Sequence, residues 1–111
     1  METLKKNSSF KKVYSQGNSS ATQFLVLYWL KNNKNKNRFG FSIGKKIGNA
    51  VQRNKLKRRL KEILRAEEKK ENIKQGFDLI IIARKDSPSL SFKRLKEEVI
   101  TLLIRTGLGR D

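Results

Sequence analysis

The spacing of apolar positions changes several times along this 111-residue chain, and each change marks an element. Phe10, Val13 and Tyr14 recur at i, i+3 and i+4, which predicts a short helix to about Gln16. Ser8 or Ser9 is its expected cap and Gly17 its stop. Residues 22–31 are apolar on both parities, which predicts a strand covered on both faces. A polar loop of Asn and Lys follows. Residues 38–44 then read as a second strand, expected to pair antiparallel with the first because the connection is short. Here Phe39, Phe41 and Ile43 point one way and Gly40, Ser42 and Gly44 the other. The second face is nearly bare, open to close approach by another backbone or a ligand.

Gly48-Asn49 turns into the longest helix, predicted at about 50–70. Asn49 with Gln52 three residues on has the pattern of a capping box. Leu56, Leu60, Ile63 and Leu64 form one apolar stripe, and Asn54, Lys57, Arg58, Lys61 and Arg65 lie well away from it. Arg53 falls beside the stripe and is expected near the sheet. After Ala66 the helix is polar all round and is expected to fray. Residues 77–83 predict a central strand, apolar on both faces. Asp86-Ser87-Pro88 is a turn, and Ser89 or Ser91 caps a last helix that turns Phe92, Leu95, Val99, Leu102 and Leu103 inward, with Gly107 past its end. The whole, residues 1–111, reads as one small α+β domain with helices packed on a mixed sheet. The unit around the basic helix is a strand–helix–strand crossover, right-handed by the general rule.

Charge then narrows the function. The net charge is +17 and the pI about 10.6. Self-repulsion on this scale destabilises a compact chain, so an anionic partner is expected, nucleic acid or an anionic membrane. No run approaches the ~20 apolar residues of a spanning helix, which disfavours a membrane partner. Residues 1–12 carry no apolar signal core, and there is no cysteine for a disulfide or a zinc finger. The expected compartment is the cytoplasm.

Catalytic chemistry is thin. There is no histidine or cysteine. Glu67, Glu68 and Glu71 sit together on what reads as a solvated helix end, and Asp78 and Asp86 are isolated. No catalytic residue is assigned, no metal site is assigned, and the chain reads as a binder. Its cations, by contrast, are concentrated: Lys45, Lys46, Arg53, Lys55, Lys57, Arg58, Arg59, Lys61 and Arg65 fall within 21 residues beside one acid, Glu62. A helix holds them on a rigid surface, as a polyanion of fixed phosphate geometry requires. Arg53 and Arg58 suit bidentate phosphate contacts, and Asn54 lies near the helix start, where backbone N–H groups face an anion. Phe10 and Tyr14 have two readings, core packing or base stacking. A trough between their helix and the bare face of Gly40, Ser42 and Gly44 would suit single-stranded RNA, with Tyr28 as a further stacking surface.

Residues 44–58, Gly-Lys-Lys-Ile-Gly-Asn-Ala-Val-Gln-Arg-Asn-Lys-Leu-Lys-Arg, resemble the signature of the protein subunit of bacterial ribonuclease P, named for its Arg-Asn-Arg cluster. Leu4-Lys5-Lys6-Asn7, Phe10-Lys11-Lys12-Val13-Tyr14 and Gly17 are similar to that family's first helix, and Phe24 to Leu30 to its first long strand. The resemblance implies a ribonucleoprotein endoribonuclease in which the RNA subunit cleaves the 5′ leader from precursor tRNA. Mg2+ is required by the ribonucleoprotein, and no cofactor is assigned to this chain. The implied partners are the catalytic RNA and precursor tRNA. By position, Lys45, Lys46, Arg53, Asn54, Lys57, Arg58 and Lys61 resemble the basic motif, and Phe10, Tyr14, Tyr28 and Ser42 the leader cleft. The family fold also implies a left-handed crossover. Lys55 and Lys61 stand where the family pattern has arginine, which keeps charge and loses the bidentate fork.

A structural ribosomal protein is the alternative, of the same size and basicity; such proteins usually carry extended basic tails, whereas here the charge sits on folded elements. A nuclease acting alone would need converging carboxylates. The sequence assigns no oligomeric state.

Overall fold

The computed structural model describes residues 1–110. In chain order the elements are β1 (Glu2–Thr3), α1 (Asn7–Gln16), β2 (Asn18–Ala21), β3 (Leu25–Lys31), β4 (Arg38–Ser42), α2 (Ala50–Lys69), β5 (Phe77–Ala83) and α3 (Phe92–Arg105). Single 3-10 turns occupy Lys45–Ile47 and Ser87–Ser89. The strands form one mixed sheet in the order β1-β4-β5-β3-β2.

The expected antiparallel pairing of β3 with β4 does not occur. β5 lies between them, antiparallel to β3 and parallel to β4. The reason lies in the loop at residues 32–37. Its Asn32 N–H donates to the Gly76 carbonyl at 2.9 Å, and its Asn37 Oδ1 accepts from Phe77 N–H at 2.9 Å. Both ends of the loop are thus tied to the start of β5. Six residues easily span two strand spacings, roughly 10 Å. β5, apolar on both faces, gains a ladder on each side and two covered faces. Because β4 and β5 are parallel neighbours joined through α2, the crossover read from the sequence is present.

Register assigns the two faces of the sheet. Leu25, Leu27, Phe39, Leu79 and Ile81 point to one face and pack against Leu56, Leu60, Ile63 and Leu64 of α2 and Leu95, Val99, Leu102 and Leu103 of α3. This is the main core. Val26, Tyr28, Gly40, Ser42, Ile80 and Ile82 point to the other face. There α1 packs through the fully buried Val13, with Leu4 and the half-buried Phe10 beside Ile80.

Local chemistry explains the element ends. Asn49 Oδ1 accepts from Gln52 N–H and Gln52 Oε1 from Asn49 N–H, both at 2.9 Å, so the predicted capping box starts α2. Ser91 caps α3 by accepting from Arg94 N–H at 3.2 Å. α1 departs from expectation: it starts at Asn7 after Lys6, with no side-chain cap, and neither Ser8 nor Ser9 serves. Its entry is fixed instead by Leu4, whose N–H donates to the Phe39 carbonyl at 2.7 Å. β2 was not read from the sequence, and β3 starts at Leu25 rather than residue 22.

The end of α2 also differs from the frayed, solvated end expected. Glu67 is buried and accepts from Asn72 Nδ2 at 3.3 Å. Glu68 accepts from Asn37 Nδ2 at 3.3 Å and from Gln75 Nε2. These acids fasten the helix to the loops below it. Asp78 is not isolated either. It is buried, takes a two-pronged contact from Arg38 Nε and Nη2 at 2.8 and 2.7 Å, and accepts from Asn32 Nδ2 at 2.9 Å.

Candidate nucleic-acid interface

The site residues read from the sequence fall on two surfaces. Phe10, Tyr14, Tyr28 and Ser42 share the α1 face of the sheet. On α1, Phe10 and Tyr14 are one turn apart, with ring centroids at 6.3 Å. Tyr14 in turn meets Tyr28 of β3 edge-on at 5.0 Å. The three rings form a file from the helix down to the sheet. Tyr14 remains 38% exposed, so this ring is presented to solvent rather than consumed in packing. Phe10 is different. It is half-buried and covers Gly40, whose missing side chain makes the room: a Cβ there would lie 2.6 Å from Phe10 Cζ. The bare face expected of Gly40, Ser42 and Gly44 is therefore partly filled. Gly40 lies under Phe10, Gly44 is past the end of β4, and Ser42 is the small residue left beside Ile82.

The second surface is α2 with the turn before it. Lys45, Lys46, Asn54, Lys57 and Arg58 are exposed. Arg53 sits beside the core, as its place next to the apolar stripe predicts, and its Nη1 donates to the Gly48 carbonyl at 2.7 Å. That bond fixes the guanidinium and leaves its other N–H groups available. Lys61 is also half-buried, its Nζ 6.0 Å from the centroid of the Phe41 ring.

Lys61 lies within electrostatic reach of Lys5 as well as of its neighbours on α2. Burial, and then like charge from Lys57, Arg65 and Lys5, hold its ammonium below the usual lysine range. Charging Lys61 therefore costs the free protein stability, and the cost fades as pH rises through its lowered pKa. A phosphate placed there would offset part of that cost with its opposite charge. Lys5 was not among the residues expected here, because nothing in the sequence shows that β1 lies against β4. β1 pairs only with Arg38 and Phe39, so beyond Phe39 this edge of β4 has no strand partner among the described residues. Lys5 and Lys61 flank that open edge.

Among the described residues no three His, Cys, Asp or Glu side chains gather in a metal-binding group, and no helix is long and apolar enough to cross a membrane.

The profile of the family described as Ribonuclease P matches residues 1–107. The chain belongs to this family. A ribonuclease P protein component from Natranaerobius thermophilus is 44% identical over 106 residues, covering 96% of this chain and 90% of that one. One from Clostridioides difficile is 42% identical, with 96% and 92% covered. Among solved structures, the RNase P protein of Staphylococcus aureus superposes with a TM-score of 0.90 at 31% identity, covering 99% of each chain. That of Thermotoga maritima gives 0.85 at 32% identity, with 95% and 97% covered. The small mixed-sheet domain is thus the fold of ribonuclease P proteins. Membership makes the chain a protein subunit of a ribonucleoprotein endoribonuclease and sets aside the ribosomal alternative.

Proposed function

We propose that this chain holds the catalytic RNA of ribonuclease P on α2 and the single-stranded 5′ leader of precursor tRNA in the cleft between α1 and the sheet. The observation that supports this division most is the ring file Phe10–Tyr14–Tyr28, ending in an exposed ring, on the opposite side of the sheet from α2. An exposed ring accepts bases without regard to sequence, since every base has a π-face. Ser42 supplies a hydroxyl beside the rings, and Lys45, Lys46, Arg53, Asn54, Lys57, Arg58 and Lys61 supply donors for phosphate. Hydrolysis falls to the RNA subunit with its Mg2+, and the protein contributes binding and position. The working compartment on this reading is the cytoplasm.

Cleavage of precursor tRNA, with and without the catalytic RNA, tests the assignment. Protein alone should leave the substrate intact in Mg2+, and should raise cleavage when the RNA is present. Metal-dependent cleavage by RNA-free protein would sink the reading. The cleft has its own test. Tyr14→Ala should lower the melting temperature only modestly, because the ring is partly exposed and loses edge contacts worth about 0.5–1.5 kcal/mol. It should weaken binding of leader-bearing tRNA roughly 5- to 150-fold, the equivalent of ~1–3 kcal/mol for one stacked base, and leave mature tRNA unaffected. Equal losses toward both RNAs would place the leader elsewhere.

A further inference from the structure

We infer that α2 is gripped by the catalytic RNA on both flanks, the second contact lying in a groove between α2 and the turn at Ser87–Ser89. The inference rests on the proposed function and extends it from the motif positions Lys46 and Lys55 to Arg59 and Lys85, outside the basic motif. The groove is lined by Lys46, Gln52, Lys55, Arg59, Lys85 and Pro88. Gln52 and Pro88 belong to both of its halves, so it runs continuously along the first turns of α2. One acid, Asp86, borders it.

Helix geometry separates this flank from the motif. Lys55 and Arg59 are at i and i+4, and their side lies about 120° around the axis from that of Asn54, Lys57, Arg58, Lys61 and Arg65. A purely solvated helix has no reason to fix a cation on this side, yet Arg59 is fixed. It is half-buried, its Nη1 reaches the Leu90 carbonyl at 3.4 Å, and it has no carboxylate partner among the described residues. The remaining guanidinium donors are presented beside Lys55 and Lys85, both exposed. Three cations from two elements around one concave surface form a phosphate track rather than a scattered charge.

Position selects the RNA. The groove lies on the helical side of the sheet, whereas the ring file lies on the α1 side. A leader strand stacked on Tyr14 would have to cross the sheet to reach it. The catalytic RNA, already on α2, need only pass the other flank of the same helix. A folded RNA with two backbone segments on either side of α2 meets this requirement.

Salt dependence of binding to the catalytic RNA decides the matter, measured on the full chain. K55A/K85A should fold normally, because both side chains are exposed. It should lower the salt slope by about two units, one for each phosphate contact, as K57A/R58A does on the motif flank. K74A/R110A removes the same charge at the far end of the molecule and should change the slope less. The chain has no cysteine, so a tethered hydroxyl-radical reagent on K85C reports from one place. It should cut the catalytic RNA. If K55A/K85A behaves like K74A/R110A while K57A/R58A still loses slope, the second contact is refuted and the proposed function stands. Cuts confined to precursor tRNA would also refute it. If the wild-type chain does not bind the catalytic RNA, the proposed function falls first and this inference with it.

Discussion

Gly17→Ala should cost about 3 kcal/mol of stability, the upper part of the range for inserting a methyl into a packed site, and lower the melting temperature by roughly 10–20 °C. The backbone angle is not the cause: φ at Gly17 is −86°, ordinary for any residue. The cause is proximity. A Cβ there would lie 2.5 Å from the Trp29 carbonyl oxygen and 2.6 Å from that of Val13. Both are backbone atoms, so no side chain can swing aside. The last turn of α1 would have to lift from β3, taking Tyr14 away from Tyr28. Stability and leader-dependent affinity should therefore fall together, unlike Tyr14→Ala, where affinity falls with only a modest loss of stability. Thermal melting and leader binding of Gly17→Ala and Gly17→Asn check this. Asn favours a left-handed helix end and should be no better tolerated than Ala. A rescue by Asn would mean that Gly17 serves as a conventional C-cap.

Asp78→Ala should cost about 2–4 kcal/mol, somewhat less than the ~3–5 of a fully buried pair, because the Arg38 side chain is 23% exposed and Glu2 lies 3.9 Å from its Nε. The loss arises from what is left behind. Arg38 keeps a charge whose one remaining carboxylate neighbour is the more distant, more exposed Glu2, and Asn32 loses an acceptor, so the loop over the start of β5 loosens. The hydrogen bonds to Asp78 hold the Arg38 guanidinium above its ordinary range. The sign follows: the pair's stability is present below the ordinary arginine range and is lost only as pH rises through the raised value. Neutral and mildly alkaline conditions should thus leave the difference between wild type and variant constant. Replacing both partners, R38M/D78L, should recover most of the loss, since no charge is then stranded. Denaturant unfolding of the three variants measures it. If Asp78→Ala unfolds within 1 kcal/mol of wild type, the pair does not hold the loop.

Much of the proposed binding surface was legible from residue order alone. The capping box at Asn49 and Gln52, the apolar stripe of α2, the place of Arg53 and the central position of β5 follow from local rules. Each depends on neighbours a few residues apart, or on a strand that is apolar on both parities. The ring file was half legible. Phe10 and Tyr14 at i, i+4 must share a face, but which ring is buried depends on Gly40, thirty residues on, and on Leu4. The acids were misjudged for a related reason. Glu67, Glu68 and Asp78 look solvated or isolated in one dimension, and their partners Asn72, Asn37, Gln75, Arg38 and Asn32 come from other segments.

By itself, then, the sequence determined the elements with strong period, the concentration of positive charge on one helix, the absence of histidine and cysteine, and the family. These are sums over composition or short-range patterns. The tertiary structure decided strand order, with β5 inserted where a hairpin was expected, because two asparagines fasten the loop ends to that strand. It decided that Gly17 is needed for closeness rather than for a left-handed turn. It decided that Lys5 comes within electrostatic reach of Lys61, and that the turn at Ser87–Ser89 lies against one flank of α2. Each of these depends on contacts between residues distant in sequence, whose free energy appears only when the chain has closed on itself.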